Sequence, residues 1–411
     1  MFRQLLPVSA LLLGSGLLFF AGGIHSLILP VRGAEEGFSS FSLGLLGTGW
    51  AVGYVSGCFF APRLVGSVGH IRAFAVMCAF AGIAILVQAL LIYSWAWIPV
   101  RAISGFCFAG AAMIVESWLN DRAEKKTRGT IFGFYTMVNL GGTTLGQLVI
   151  ATGDTSGFLF FALGAIFYAL ALVPTASSTR ATPAPLTSIK LDLGMLWRNS
   201  QVAVVVVFLV GMSNSAFGTL AAVYAGQIGL PIGTIALFTS LPILAGALSQ
   251  IPIGMLSDRI DRRIVLIGTA VIALAADAAF IVIAPQERLT NLVLGCTFGA
   301  MIFAMYPIMV AHANDHAPPG TSIQVSGGLL MVLGLGSIIG PVMAGAGMAA
   351  FGPSGLFLTT VIAHLLMVLV TVWRISRRET VSGVEKTDFK PSAPTRLSTP
   401  ETAVLAEGPA R

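Results

Sequence analysis

Twelve stretches of this 411-residue chain are apolar for long enough to cross about 30 Å of hydrocarbon. They run over 7–29, 41–62, 72–92, 95–118, 129–151 and 156–175, then 200–225, 232–255, 264–284, 289–312, 321–347 and 354–374. Lipid offers backbone N–H and C=O groups no partners, so these stretches are expected to be helices. Composition agrees: 56% of residues are hydrophobic and 10% charged, against about 25% charged in a soluble domain. The forty-seven glycines suit helices that approach closely in lipid. The first stretch follows Arg3, but it is too long for a signal-peptide core and no A-x-A site follows it, so it reads as an uncleaved span.

Charge placement gives a topology. With the N-terminus in the cytoplasm, every one of the 23 basic residues falls on the cytoplasmic side except Arg32, Arg101 and Arg288. That is a positive-inside bias, and it explains the net charge of +6 without nucleic acid. Both termini are expected in the cytoplasm. The four cysteines, Cys58, Cys78, Cys107 and Cys296, lie in apolar runs with no CxxC pair and read as free thiols. The sequence shows no metal-ligand cluster, P-loop or nucleophile elbow. No cofactor and no enzymatic activity are expected.

A polar segment rich in Pro, Ser and Thr separates the sixth and seventh spans. The expected organisation is a six-helix bundle over 1–175, a cytoplasmic linker over 176–199, a second bundle over 200–375 and a disordered tail over 376–411. The halves echo each other. "GTTLG" at Gly142–Gly146 recurs as "GSIIG" at Gly336–Gly340, 194 residues later. The loop "PRLVGSVGHIR" precedes "GMLSDRIDRR" by 192 residues, counted from Pro62 to Gly254. Such internal symmetry is a transporter trait.

Six plus six spans, a central loop and "GMLSDRIDRR" together resemble the major facilitator superfamily, over about residues 5–375. Gly254, Leu256, Asp258, Arg259, Arg262 and Arg263 match its loop signature, while Asp261 stands where glycine is usual and is expected to sit in a tight, left-handed turn. "VES" at 115–117, "RGTIFGFYTMVNLGGTTLGQLV" at 128–149, "YPIMVA" at 306–311 and "SIIGP" at 337–341 resemble the YcaD-like group of bacterial members. The resemblance implies an all-α membrane fold of two pseudo-symmetric six-helix bundles. It implies a secondary transporter of a small organic solute, working by alternating access. Protons and the lipid bilayer are the further expected partners, and a monomer is expected.

Several residues stand out on this reading. Asp258 is expected to accept hydrogen bonds from free N–H groups at the start of span five, near Arg128, Gly129 and Thr130, and so to hold a cytoplasmic gate with Gly254, Arg259, Arg262 and Arg263. Glu116 is expected to join the gate by pairing with Arg63, Arg72 or Arg128, and Asp315 by pairing with Arg259 or Arg262. Arg101 is the one basic residue within a span, and "RAISG" resembles the family's span-four arginine pattern, where that residue handles substrate or protons. The cargo cavity is expected to be lined by Arg101, Phe106, Tyr135, Asn139, Gln147, Asn214, Tyr224 and Tyr306, with Trp50 and Phe303. Asp277 is read as paired, and His25 and His364 as satisfied structural residues. That lining suits a small neutral or weakly anionic molecule. Uptake of a nutrient or vitamin-like compound, for instance a flavin, is favoured over efflux. A transport-dead sensor or scaffold is the alternative of another class.

Overall fold

Long apolar helices dominate the computed structural model of the chain, which describes residues 8–122, 128–176, 192–318, 321–377, 386–387, 389–391 and 399–402. The helices are α1 (Ser9–Glu35), α2 (Ser40–Val68), α3 (His70–Leu90), α4 (Ser94–Arg122), α5 (Arg128–Leu148), α6 (Leu159–Leu170) and α7 (Leu172–Ala176). They continue as α8 (Leu193–Asn199), α9 (Gln201–Gln227), α10 (Ile232–Arg259), α11 (Arg262–Val282), α12 (Arg288–Asp315), α13 (Ser322–Phe351) and α14 (Gly355–Ile375). No strand occurs among the described residues. Ten helices there are long and apolar enough to cross a membrane. The expected spans five and six are the two that fall short. One is α5, diluted by Tyr135, Thr136, Asn139, Thr143, Thr144 and Gln147 and ending in a 3-10 turn at Val149–Thr152. The other is broken into α6 and α7. Several helices outrun their apolar stretches. α4 continues to Arg122 and α10 to Arg259, placing cations where the helix dipole favours them.

Many large apolar side chains point outward, including Phe80, Ile83, Leu248, Val282 and Leu289. Lipid is the solvent that such faces need. At the turn from α3 to α4, exposed Tyr93 and Trp95 stack with ring centroids 6.0 Å apart. At the end of α14, Trp373 lies beneath Arg374 and Arg377. Aromatic and basic residues of this kind anchor helices at the membrane–water interface.

Packing divides the chain into two units: Met1–Phe38, Gly49–Ser188 and Thr399–Arg411 in one, Ser39–Thr48 and Ile189–Ser398 in the other. In unit one, α5 presses on α1 so closely that a Cβ on Gly146 would overlap the Phe20 carbonyl oxygen. In unit two, α13 presses on α9 in the same way, Gly336 against Phe208 and Gly340 against Met212. The paired glycine motifs seen in the sequence are thus points of close backbone approach in both units.

Candidate functional site

The charged turn "GMLSDRIDRR" closes α10 and opens α11. Gly254 to Arg259 form the last turns of α10, and Ile260 is its extended C-cap. Asp261 is the N-cap of α11, with φ −58° and ψ 123°, and its carboxylate accepts from the Arg263 N–H at 2.9 Å. The expectation of a left-handed Asp261 is therefore corrected. The chain needs an acceptor here to start a helix, and Asp is among the best N-caps. Asp261 also pairs with Arg263 at 2.7 Å. We expect Asp261→Ala to lower unfolding stability by about 1–2 kcal/mol, with Asp261→Asn recovering the cap share. Thermal unfolding of the purified protein measures both.

Arg262 is the hub of the turn. It is buried, and its Nε donates to Asp315 Oδ2 at 2.7 Å. Its Nη1 donates to Asp258 Oδ1 at 2.9 Å and to Ser257 Oγ at 3.0 Å, and its Nη2 to the Thr387 carbonyl. Asp258 also accepts from a backbone N–H. That N–H belongs to Phe389 of the tail, at 3.1 Å. The Phe389 ring lies where a Cβ on Gly254 would stand. Thr387 donates to Asp315 through its N–H and its hydroxyl, at 2.8 and 2.7 Å. Lys386 covers the Ile260 carbonyl at 2.6 Å. Of the two arginines expected for Asp315, Arg262 is the partner; Arg259 is exposed and makes no ion pair among the described residues.

Glu116 has no arginine partner among the described residues. It forms no ion pair with Arg63 or Arg72, is wholly buried on α4 and accepts from three hydroxyls. These are Tyr135 at 2.7 Å, Thr402 at 2.8 Å, and Thr399. The side chain of Arg128 lies outside the described residues, as do Arg3, Lys125, Lys126, Arg180, Lys190, Arg378, Arg396 and Arg411 of the charge census.

The other singled-out residues have varied surroundings. Arg101, half-buried on α4, lies over the Trp50 ring at 5.9 Å and reaches Ser104 Oγ at 3.5 Å. No carboxylate pairs with it among the described residues. Phe106 is half-buried on the same helix. Asn139 accepts from Ser15 at 2.5 Å, joining α5 to α1. Gln147 donates to Ser26 at 3.5 Å, while its buried Oε1 has no partner among the described residues. Asn214 and Tyr306 are buried on α9 and α12. Tyr224, expected in the cavity lining, packs in the core of unit two. Its ring contacts Phe238, Phe280 and Phe357, and its hydroxyl donates to Asn291 at 3.2 Å. All four cysteines are free, Cys78 and Cys107 buried and the other two half-buried. No group of three or more His, Cys, Asp or Glu among the described residues could hold a metal ion.

Sequence reasoning missed two arrangements. One is the seating of tail residues on Asp258, Asp315 and Glu116, for which polar tail composition gave no signal. The other is a pair of buried polar clusters. His25 binds Gln88 and Tyr168 in unit one, and His364 binds Ser213 and Asp277 in unit two. Here a signal existed: the positions recur after 188, 189 and 196 residues, close to the repeat offset.

Lipid-facing helices, a repeated helix order and charges buried within spans define a multi-pass helical membrane protein of the two-bundle transporter type. The chain belongs to the Major Facilitator Superfamily, whose sequence pattern matches residues 11–238 and again 203–406. It is 24% identical to the uncharacterized MFS-type transporter YcaD of Salmonella typhi, over 89% of this chain and 96% of that one. YcaD of a Salmonella arizonae strain is 26% identical, over 88% and 95%. Among solved structures, the fold is similar to the nucleoside transporter NupG (TM-score 0.76, 13% identity, 90% of this chain and 100% of that one). It is also similar to a D-xylose-proton symporter (TM-score 0.67, 18% identity, 92% and 97%).

Proposed function

We propose that the protein is a proton-coupled secondary transporter in a bacterial inner membrane. On this reading both termini are cytoplasmic, and uptake of a small organic solute bearing an anionic or strongly accepting group is the favoured direction. Arg101 carries the reading. A guanidinium in a membrane helix is expensive and is kept for a purpose. Arg101 spends one long hydrogen bond on Ser104 and stacks over Trp50, and among the described residues most of its donors meet no partner. A planar fork of donors beside an aromatic face suits a carboxylate or a heteroaromatic ring edge. The solved relatives are described as carriers of nucleosides and, with protons, of xylose. The fold thus accommodates different cargoes, and the side chains must choose. The Asp258–Arg262–Asp315 cluster is assigned to the gate that alternating access requires.

The test is a thermal-shift screen of the purified protein against small metabolites, flavins and nucleosides among them, followed by flux into proteoliposomes. Anionic or heteroaromatic hits are expected, and Arg101→Gln should weaken their binding about 10- to 100-fold. Equal binding by Arg101→Gln, or hits confined to cationic compounds, would sink the assignment.

A further inference from the structure

The two units contain matching polar clusters that differ in one respect. In unit one, His25 Nε2 of α1 meets Gln88 Oε1 of α3 at 2.8 Å, and Nδ1 meets the Tyr168 hydroxyl of α6 at 3.4 Å. In unit two, Ser213 Oγ of α9 meets His364 Nε2 of α14 at 3.0 Å. His364 Nδ1 meets Asp277 Oδ2 of α11 at 2.7 Å, and Thr360 donates to Asp277 Oδ1 at 2.6 Å. By sequence order α9, α11 and α14 repeat α1, α3 and α6. Every one of these side chains is buried. An imidazole, an amide and a phenol are enough to tie three helices together, as unit one shows. Unit two places a carboxylate at the amide's position, where an intramembrane acid is costly and packing does not require it.

We propose that Ser213, His364 and Asp277 form a proton-binding site within unit two, to which the neutral His25–Gln88–Tyr168 cluster is the inactive counterpart. Unloaded, the imidazole is neutral: Nδ1–H donates to the Asp277 carboxylate and Nε2 accepts from the Ser213 hydroxyl. The site then carries one net negative charge. Loading adds one proton from water to Nε2, and the Ser213 hydroxyl turns from donor to acceptor. The imidazolium and carboxylate then cancel. No other bond forms or breaks, and unloading returns the same proton to water.

The surroundings isolate the site. α9 and α13 carry no charged residue. α10 carries only Asp258 and Arg259, in its last turn. On α11, Arg262 and Arg263 lie at the far end, about 22 Å along the helix. On α14, Arg374 lies in the last turn. α12 presents the Phe298 ring, 5.7 Å from His364, while its Arg288, His312 and Asp315 lie near its ends. The remaining titratable groups on these helices are Cys296 and Tyr306 of α12 and Tyr224 of α9, the last bonded to Asn291. The loaded proton therefore acts on α9 through Ser213. Ser213 directly follows Met212, whose carbonyl is pressed by Gly340 of α13. Reversing the Ser213 hydrogen bond thus bears on a tight backbone contact between α9 and α13.

The link to transport rests on the function proposed above; proton binding itself does not. The test is nitrogen-15 NMR of the full-length protein in lipid nanodiscs, with histidine rings labelled and His364 assigned by loss of its signal in His364→Gln. As the pH is lowered across the range that the protein tolerates, Nε2 of His364 should pass from acceptor to N–H with a one-proton profile. Asp277→Asn should move that midpoint down by more than about one pH unit, and the His25 signal should not change. A His364 that holds one protonation state throughout is a fixed structural pair and overturns the proposal. Should Asp277→Asn fail to fold, Ser213→Ala keeps the pair and decides the matter: loss of loading supports the site, and an unaltered profile refutes it. A titrating His364 in a protein that moves no solute would leave the site standing and remove the transporter reading. Gradient-driven flux with a silent His364 would do the reverse.

Discussion

Arg262→Met is expected to destabilise the protein by about 3–5 kcal/mol, the loss typical of a buried ion pair broken from one side. Arg262 is buried, and so is the Asp315 side chain that it meets at 2.7 Å. Removing the guanidinium strands that carboxylate and frees Ser257, Asp258 and the Thr387 carbonyl at once. Lysine cannot replace the fork, because it offers a single ammonium in place of donors on three nitrogens. Arg262→Lys should therefore recover only part of the loss. Arg262→Met with Asp315→Asn should recover more, because no charge is left stranded. The tail should respond as well, since Lys386, Thr387 and Phe389 are seated on this turn. Thermal unfolding and limited proteolysis of the tail read the two effects. A change within about 0.5 kcal/mol, the range of an ordinary surface substitution, would mean that Arg262 is not the hub.

Gly340→Ala and Gly146→Ala should each lose about 1–3 kcal/mol through overpacking. A Cβ at Gly340 meets the Met212 carbonyl oxygen, and at Gly146 it meets that of Phe20. Backbone cannot swing aside as a side chain can, so the helices must separate along their whole contact. Gly141→Ala is the control. It lies on α5 within five residues of Gly146, yet a Cβ there meets none of the described residues within 4 Å. Alanine is the better helix former by about 0.5–1 kcal/mol, so Gly141→Ala should stabilise. Opposite signs for neighbouring glycines cannot come from helix propensity alone. Unfolding temperatures, with the fraction of monodisperse protein after detergent extraction, give the comparison.

Those glycines show what one sequence can reveal. "GTTLG" and "GSIIG" were visible as a repeat, and their spacing pointed to close packing. The helix that each one presses on was not visible. Asp261 is a similar case: its position in a turn was legible, but its backbone was misjudged because the glycine usual there suggested a left-handed residue. From sequence, Glu116 calls for an opposite charge. The fold instead satisfies the carboxylate with three hydroxyls, two of them from a tail segment more than 280 residues away.

The sequence alone determined the solvent, the secondary structure, the repeat and the family. Hydropathy and helical hydrogen bonding are local properties, and lipid leaves a long apolar stretch no other fold. Only the tertiary structure decided which polar groups meet. Asp277 and His364 are 87 residues apart, and His364 and Ser213 are 151 apart. Their meeting depends on how each helix is rotated about its axis, which close packing of many side chains fixes together. The same rotation turned Tyr224 into the core and made Arg262, not Arg259, the centre of the charged turn.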